Sequence, residues 1–490
     1  MSGRRSAIKA LLLNPGIFDF AAYDLWARPL GLLRVGAQLR RWGWETVLVD
    51  FLDRFHPELG AFSASRYARF DAYGCGKYPR EEIPPPPVLA GFGRRYFRYG
   101  FPPALARETL AAAGRPRLIL IGSGMTYWYP AVREAVALAR DVFPGVPVVL
   151  GGIYARLLPA HAAAVCRPDL VQAGRGPASL ARSLGRLGFP VAPVPGTPPP
   201  PDYGLLRDRT AIPLQLSRGC PFRCSYCAGP LLEPDIAGED PVRAADTVAR
   251  ERDQGTTDFA FYDNALLHCA GTALRPFLRE VLRRGGGCRF HTPNGLHARL
   301  LDPETAELMR AAGFATVRIG LETVDPGRQM ATGGKVANAD LERAARLLQA
   351  AGFEPGRIGV YTLLGYPGQT PAEVEADIGF VHSLGLRTIL AAFSPIPGTR
   401  TFGELQAAGA APEEPLLQNN TVFPSLGGVF TAAEVRRLRE LAASANRRLP
   451  GAAGRDLRPS PAEKRSERAP TEPGREEPRT EWSPGLSDYG

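Results

Sequence analysis

Hydrophobic and polar positions along the first 190 residues follow two periods. Four short apolar runs predict buried strands, near 8–13, 47–50, 118–123 and 146–150. Apolar residues spaced three and four apart predict helices over 31–42 and 131–142. Strands that alternate with helices are typical of an open parallel sheet. We therefore expect a Rossmann-like α/β domain over residues 1–190, with its ligand site at the carboxyl ends of the strands.

The same alternation resumes after residue 206 and runs further. Six strands are predicted, near 211–216, 258–262, 288–292, 316–321, 358–363 and 387–393. Amphipathic helices lie between them, for example over 341–351. Six successive βα units are typical of a partial (β/α)6 barrel of the TIM type, whose active site lies at the carboxyl ends of its strands. We expect this barrel to occupy residues 207–405.

The remaining segments lack either period. Residues 55–115 read as an irregular insertion in the first domain, and the Pro-rich stretch 191–206 reads as a stiff linker. A helical extension is expected over 406–450. From 451 to 490 the chain is rich in Pro, Glu, Arg and Ser without periodicity, which predicts a disordered tail.

Composition excludes several classes of protein. Apolar residues make up 44% and charged residues 22% of the 490 residues, which excludes wholesale disorder, collagen and a small disulfide scaffold. The net charge is +10, but only four of the 59 cations are lysines, a bias typical of codon usage. Nucleic acid is therefore not an expected partner. No apolar run reaches membrane-spanning length, so no membrane partner is expected. Seven cysteines without an export signal indicate reduced thiols and a cytoplasmic location.

Three cysteines carry the strongest chemical signal. Cys220, Cys224 and Cys227 lie in a loop directly after the first barrel strand, in a Cys-x3-Cys-x2-Cys pattern. Three thiolates this close can hold three irons of a cubane cluster and leave the fourth iron open to a ligand. A zinc site would normally need a fourth ligand, which His268 or Cys269 could supply. Cys75, Cys166 and Cys288 are isolated and read as small buried side chains.

At these residues, which include the aromatic Tyr226 before the third cysteine, the sequence resembles the radical S-adenosylmethionine (radical SAM) superfamily. The resemblance implies a [4Fe-4S] cluster bound by the three cysteines, with S-adenosylmethionine (SAM) on the open iron. An electron from a reducing protein such as ferredoxin or flavodoxin would then cleave SAM and give a 5′-deoxyadenosyl radical that abstracts hydrogen from a small-molecule substrate. In such enzymes the cofactor carries the difficult chemistry and the protein positions it.

The resemblance also implies a set of SAM-binding residues: Tyr226, Asp263, Asn264, Asn294, Arg318, Glu322 and Gly365. Asp263 and Asn264 stand where the family usually has Gly-Gly-Glu, and Asp263 could accept a hydrogen bond from the SAM ammonium group. Glu322 would bind ribose hydroxyls, and an ion pair with Arg318 is the structural alternative. His291 and His297 lie near the predicted active face, where a structural role is the more common one.

The first domain resembles the cobalamin-binding domain that precedes many radical SAM barrels. The residues that carry this resemblance, and that are predicted to bind cobalamin, are Asn14, Pro15, Gly122, Ser123, Gly151, Gly152, Gly174 and Gly176. The chain has no Asp-x-His-x-x-Gly motif, so cobalamin would bind with its lower face free of a protein imidazole. Arg175 stands where an acidic stretch is common. The alternative is a Rossmann-like scaffold that binds no cobalamin.

The expected activity is a cobalamin-dependent methylation of an unactivated carbon by a radical SAM enzyme. One alternative omits cobalamin and performs a radical rearrangement, cyclisation or C–H functionalisation. Another is a zinc- or cluster-stabilised RNA-binding protein, which would use the Arg-Tyr cluster of residues 94–100 to bind RNA. That cluster could stack on a base or cofactor, or simply pack its own loop.

Overall fold

The computed structural model describes residues 8–62, 70–192 and 194–450. These residues form two parallel sheets, each covered by helices, in the order that the sequence predicts. The tail expected over 451–490 lies outside the described residues. Among the helices that the structure describes, none is both long enough and apolar enough to cross a bilayer.

The first sheet has five parallel strands. They are β1 (Lys9–Asn14), β2 (Glu45–Asp50), β3 (Leu118–Ile121), β4 (Val148–Leu150) and β5 (Leu170–Val171). Their spatial order is 2-1-3-4-5, so the chain reverses direction across the sheet between β1 and β3. Ligands of doubly wound sheets bind in the crevice that opens at such a reversal. β5 was not predicted, because two half-buried residues leave no apolar run.

Five helices cover this sheet: α1 (Leu30–Arg41), α2 (Pro103–Ala112), α3 (Tyr129–Val142), α4 (Pro159–Cys166) and α5 (Gly176–Arg186). Helix α1 buries Leu32 and Leu39 against the sheet, as the predicted periodicity requires, and buries Leu33 in the core of the second sheet. Helices begin where the strands end, so the amino ends of α1 and α5 lie at the same edge as the strand carboxyl ends.

The second sheet is the predicted partial barrel. Its six parallel strands are β6 (Ala211–Leu214), β7 (Asp258–Phe261), β8 (Arg289–His291), β9 (Phe314–Glu322), β10 (Ile358–Leu364) and β11 (Arg387–Ala392). They neighbour one another in chain order, and the short strand Leu296–His297 also pairs with β9. Phe259, Phe261, Phe290 and Phe314 stack between this sheet and its helices. The predicted fold class is confirmed.

The barrel helices alternate with these strands. They are α6 (Pro241–Asp253), α7 (Arg275–Arg283), α8 (Pro303–Ala312), α9 (Asn338–Ala350), α10 (Pro371–Ser383), α11 (Arg400–Ala407) and α12 (Ala432–Arg447). Further short helices cover Leu59–Phe62, Ile153–Leu157, Gly229–Leu232, Pro326–Ala331 and Phe423–Leu426. Asp240, Asp302 and Thr370 cap their helices with side-chain oxygens.

The segment expected to be an irregular insertion, 55–115, is more ordered than predicted. Ile17–Asp19, Tyr96–Tyr99 and Arg80–Ile83 form a small antiparallel sheet, and α2 follows. The expectation is therefore wrong for the second half of the segment. The strands were missed because their alternation is carried by Arg, Glu and Tyr rather than by aliphatic residues.

This small sheet also accounts for the Arg-Tyr cluster. The hydroxyls of the buried Tyr96 and Tyr99 donate to the carbonyls of Phe18 and Phe20. Arg98 forms two hydrogen bonds with Glu134, and Arg95 pairs with Glu82. These tyrosines face the interior, so of the two alternatives the structure favours packing of the loop by its own aromatic residues over stacking on a base or a cofactor.

The first domain also plugs the amino end of the barrel. Trp26 stacks on His291 with ring centroids 4.1 Å apart, and His291 Nε2 lies 2.9 Å from Asp258 Oδ1. The backbone N–H of Arg28 donates to the Tyr262 hydroxyl. His291 thus has the structural role that is more common for such residues.

Candidate active site: a cysteine loop beside a shared cavity

The cysteine loop lies at the carboxyl end of β6. All three of its cysteines are free thiols, and Cys227 is exposed. Burial raises the pKa of Cys224 to about 11, while the Lys335 ammonium opposes the rise and the thiols of Cys227 and Cys220 add to it. Burial also raises the pKa of Cys220, which Cys227 raises further. Each thiol therefore lies within electrostatic reach of the other two.

This donor set fits an iron–sulfur cluster better than a zinc ion. Among the described residues, no three His, Cys, Asp or Glu side chains converge on one point as zinc ligands must. A cubane needs one thiolate on each of three irons, so its ligands must be neighbours without sharing a point. His268 is exposed, and the Cys269 thiol lies by Ser217 and Asp263. A cluster with one open iron is the metal group that these thiols suit.

Asp263 anchors the start of the loop. Its carboxylate accepts hydrogen bonds from the backbone N–H of Leu216 (3.1 Å) and from the N–H and hydroxyl of Ser217 (2.6 and 2.7 Å). Burial raises the pKa of Asp263 to about 7. The sequence predicted that this carboxylate would contact the SAM ammonium group. The structure gives it a second use, because it holds the strand that leads to Cys220.

Glu322 and Lys335 form a buried ion pair beside the cysteines. Glu322 Oε1 lies 2.6 Å from Lys335 Nζ, with the side chains 11% and 18% exposed. Glu322 has φ 73°, in the left-handed region that a non-glycine residue occupies only under constraint. Burial would lower the pKa of Lys335, but Glu322 and Cys224 together raise it above its ordinary value. The alternative ion pair between Glu322 and Arg318 is wrong.

Most of the other residues predicted to bind SAM surround this pair. The Tyr226 ring packs edge-on to Tyr366, and its buried hydroxyl has no hydrogen-bond partner among the described residues. The Asn294 amide donates to the Asp263 carbonyl (3.1 Å). A Cβ at Gly229 would be 3.3 Å from the Cys227 sulfur and 4.0 Å from the Asn264 amide, which places Asn264 beside Cys227.

Two predicted SAM residues sit differently. Gly365 follows β10 with φ 83°, and a Cβ there would be 2.5 Å from Pro424, so the extension packs directly on this turn. The Arg318 side chain lies deeper in the barrel, against Gly359 and within electrostatic reach of His291. The contacts of Gly365 and Arg318 thus lie with Pro424 and Gly359 rather than with the cysteines.

His297, from the strand Leu296–His297, packs against the cysteine loop. Its ring stacks on Phe222 with centroids 4.6 Å apart and planes 11° apart. Burial lowers the pKa of His297 to about 3, with the Lys335 charge adding to the effect. The imidazole is thus neutral at physiological pH, and with Phe222 it forms an apolar wall between two cysteines and the strand Leu296–His297.

A cavity of ≈ 1080 Å³ lies beside the cysteine loop, between the two sheets. All eight residues predicted to bind cobalamin line it: Asn14, Pro15, Gly122, Ser123, Gly151, Gly152, Gly174 and Gly176. Its opposite wall comes from the barrel and includes Leu214, Gln215 and Arg218, two residues before Cys220. The predicted linker contributes Thr197–Pro201 to the lining, a role that its composition did not reveal.

The lining suits a large, mainly neutral ligand. Most of the wall is apolar, and Tyr78, one of the lining residues, has a buried hydroxyl with no hydrogen-bond partner among the described residues. At Gly152, with φ 98°, a Cβ would collide with Ser123, so only glycine permits this close approach of two strand ends. The lining residues include no histidine. A corrinoid held here would therefore lack an imidazole ligand from these walls.

The barrel also matches a known family. Residues 214–381 match the family model described as the Radical SAM superfamily, and this range begins at the end of β6 and includes all three cysteines. The barrel is a radical SAM domain. No curated protein sequence matches the chain.

Solved structures share the fold of the radical SAM domain together with the domain before it. The radical SAM methyltransferase TsrM from Kitasatospora setae, with cobalamin and a [4Fe-4S] cluster bound, has a TM-score of 0.58 at 18% identity, over 83% of this chain and 80% of that chain. TsrM with tryptophan substrate and a SAM analogue gives 0.57 at 18% identity, over 82% and 77%. The cobalamin-dependent SAM radical enzyme OxsB with aqua-cobalamin gives 0.51 at 12% identity, over 82% and 56%.

Sequence reasoning missed two parts of the radical SAM domain's site. Lys335 follows Gly333 and Gly334, a triplet that does not fit a P-loop, yet both glycines have positive φ and a Cβ at Gly333 would be 3.0 Å from the Cys224 Cα. The rarity of lysine in this chain was the signal available. Arg218 was read only as part of the cysteine motif, and nothing in the sequence indicated that it faces the first domain.

Proposed function

We propose that the chain is a radical SAM enzyme that binds a [4Fe-4S] cluster, SAM and cobalamin, and that methylates an unactivated carbon of a small molecule. One observation carries the proposal: the chain that leads into the three-cysteine loop, as far as Arg218, borders a cavity whose other wall is the strand-reversal edge of the first sheet. The two edges face each other, so cofactors bound at each would meet across the cavity. TsrM, which has the same fold, binds cobalamin and the cluster.

In this proposal the cysteine loop provides ligands and a shield. Cys220, Cys224 and Cys227 would hold three irons as thiolates, and the neighbouring Lys335 ammonium favours the ionised form of Cys224. When bound, the cluster and SAM supply a carbon-centred radical and cobalamin supplies a methyl carrier. The stacked Phe222 and His297 keep water away from one side of the loop.

Glu322 and Lys335 would orient SAM. Lys335 fixes the Glu322 carboxylate through one oxygen, and the carboxylate would accept hydrogen bonds from ribose hydroxyls. The buried Tyr226 hydroxyl lies within electrostatic reach of the Glu322 carboxylate and would help to orient it. A dry, preorganised set of polar groups binds a charged cofactor without reorganising at each turnover.

The cavity would hold cobalamin against the glycine-rich edge of the first sheet. Tyr78 would donate to a carbonyl of the corrin periphery, and the residues that line the cavity would offer the cobalamin no imidazole. The substrate, a small molecule as tryptophan is for TsrM, would lie between the two cofactors. Reducing equivalents would come from ferredoxin or flavodoxin, in a cytoplasmic setting that keeps the seven thiols reduced.

Anaerobic reconstitution with iron, sulfide, hydroxocobalamin, SAM and a reductant tests the proposal. We expect about four irons and four sulfides per chain, one bound cobalamin and the formation of 5′-deoxyadenosine. Cys288→Ala is the matched control for Cys224→Ala, because Cys288 is buried away from the loop. A protein that holds the cluster and cleaves SAM without bound cobalamin would favour the cobalamin-independent alternative. A wild type that holds no iron after reconstitution would refute the proposal that the chain is a radical SAM enzyme.

A further inference from the structure

The chain that follows the third cysteine, Cys227, folds back and pairs with the strand just before the first cysteine, Cys220. After the short helix Gly229–Leu232 it crosses the rim of the cavity, and then Ala237–Gly238 pairs antiparallel with Ser217–Arg218. The backbone N–H of Glu239 donates to the Leu216 carbonyl (2.8 Å). Residues 229–239, here called the return segment, are therefore fixed at one end to Cys227 and at the other to the strand that precedes Cys220.

Between these ends the return segment binds the first domain through charges. Arg175 donates to Glu233 (3.1 Å) and to Asp235 (2.7 Å). Arg156 lies 3.7 Å from Glu233 and also donates to the Leu232 carbonyl. Arg156 and Arg175 follow β4 and β5 at the edge where cobalamin is predicted to bind, and all four charged residues line the cavity.

Asp235 also packs on the cysteine loop. Gly219, the residue before Cys220, has φ 79°, and a Cβ there would be 2.5 Å from the Asp235 carbonyl oxygen. No other residue fits this contact without displacing one of the two backbones. Asp235 thus contacts Arg175 with its side chain and Gly219 with its backbone, so it connects the first domain to the first cysteine.

These ion pairs are poorly placed to add global stability. Arg175 is one-third exposed and the Asp235 side chain is 80% exposed, and ion pairs at such positions contribute at most about 1 kcal/mol. Their importance lies in their location, because together with the Arg34–Glu239 pair (3.9 Å) they join the cavity rim of the first domain to the segment that links the cysteines.

We propose that the return segment is a latch that sets the position of the cysteine loop relative to the first domain, with Arg175 and Asp235 as its positioning residues. A ligand in the cavity covers Arg175 and in this way stabilises the cysteine loop. By linkage, a cysteine loop that holds its cluster raises the affinity of the cavity for the ligand. The inference depends on the proposed function only in that the three cysteines bind the cluster and that the cavity accepts cobalamin.

The test is the rate at which a chelator bleaches the reconstituted cluster, measured without oxygen, with and without hydroxocobalamin. Arg175→Asp repels Glu233 and Asp235, so we expect bleaching about fivefold faster than in the wild type, the factor that ~1 kcal/mol gives. We also expect hydroxocobalamin to slow bleaching of the wild type but not of Arg175→Asp. Arg175→Asp combined with Asp235→Arg restores one cation between two carboxylates, and both properties should return.

Arg107→Glu is the matched control, because it breaks the comparably exposed pair with Asp141 within the first domain. It should bleach at the wild-type rate. Wild-type behaviour of Arg175→Asp, or failure of the double variant to recover, would overturn the latch. A wild type that holds no cluster would instead refute the proposed function. A wild type that holds the cluster but binds no cobalamin would refute only the cobalamin part, because the bleaching rates of the variants still test the latch.

Discussion

The carboxyl-end edges of the two parallel sheets present different types of residue. The edge of the five-stranded sheet presents glycines and small polar residues, such as Asn14, Ser123 and Gly152. The edge of the barrel presents thiols and a buried ion pair, Glu322–Lys335. The edge of the five-stranded sheet is suited to bind a ligand by close backbone approach and shape. The edge of the barrel is suited to bind a ligand by charge and by metal ligation. A chain that must hold one large neutral cofactor against one small charged centre needs both kinds of edge.

The difference also appears in what each edge tolerates. At the glycine-rich edge, backbones meet directly and a single Cβ would collide, as at Gly152. At the barrel edge, charges lie close together out of water, so removing one member leaves another unpaired. We therefore expect the largest effects of substitution at the barrel edge and smaller, affinity-type effects at the edge of the first sheet.

The largest expected effect is at the cysteine loop. Cys224→Ala removes one of three thiolates, so the cluster should be lost together with its absorbance near about 400 nm. Iron analysis and absorption spectra after anaerobic reconstitution measure this. Cys288→Ala should retain full iron, and full iron in Cys224→Ala would contradict the ligand set.

The buried ion pair gives the next largest effect. Lys335→Met leaves the Glu322 carboxylate buried without its partner, and we expect a loss of about 3–5 kcal/mol in the free energy of unfolding. Adding Glu322→Gln should recover much of this loss, because the buried charge is then gone. Lys9→Met, which breaks a partly exposed pair with Glu45 and a hydrogen bond to the Ala113 carbonyl, should cost less, about 1 kcal/mol in chemical denaturation. Equal losses in the two lysine variants would remove the distinction between the edges.

Asp263 makes stability at the barrel edge depend on pH. Its pKa of about 7 in the folded protein exceeds the value of about 3.9 in the unfolded chain, so the folded state binds more protons between these limits. This residue therefore costs stability as pH rises from about 4 to 7. Asp263→Asn keeps an acceptor for Ser217 and removes the ionisation. Between pH 5 and pH 8, the free energy of unfolding of the variant should rise relative to that of the wild type, as measured by denaturant unfolding. A difference between the two that does not change with pH would contradict the raised pKa of Asp263.

At the edge of the first sheet we expect a change in affinity alone. Tyr78→Phe removes a buried hydroxyl that has no partner among the described residues. The dissociation constant for hydroxocobalamin should rise by about 3–10-fold, the usual value of one hydrogen bond, with iron content unchanged. Titration by absorbance measures this. Unchanged affinity would show that the hydroxyl does not face the corrinoid.

The smallest expected effect is at the tail. Truncation after Arg448 removes a segment whose composition predicts no core, so folding and SAM cleavage should be retained. Yield of folded protein and 5′-deoxyadenosine production check this. Loss of folded protein would assign the tail a structural role.

The fold was largely predictable because both sheets are parallel and buried. Parallel strands covered on two faces give continuous apolar runs, and those runs located all six barrel strands. The two-residue strand β5 and the small antiparallel sheet escaped, since the first is too short and the second is built from Arg, Glu and Tyr. Local patterns cannot reveal pairings between strands far apart in sequence.

The site was predictable where one loop carries it and less so where several elements meet. The three cysteines share a loop, and the eight residues predicted for cobalamin all line one cavity. The partner of Glu322 was mistaken, because Lys335 reaches it through a glycine turn whose path depends on φ angles. Arg175 was noticed as a departure, but its partners lie about 60 residues away on the return segment.

The central claim is that three thiols hold a cubane with one iron open to SAM beside the shared cavity. Electron paramagnetic resonance of the reduced, reconstituted protein, recorded with and without SAM, tests it most directly. The account predicts a [4Fe-4S]⁺ signal whose g values change when SAM is added. A spectrum that SAM leaves unchanged, or no cluster signal, would contradict it.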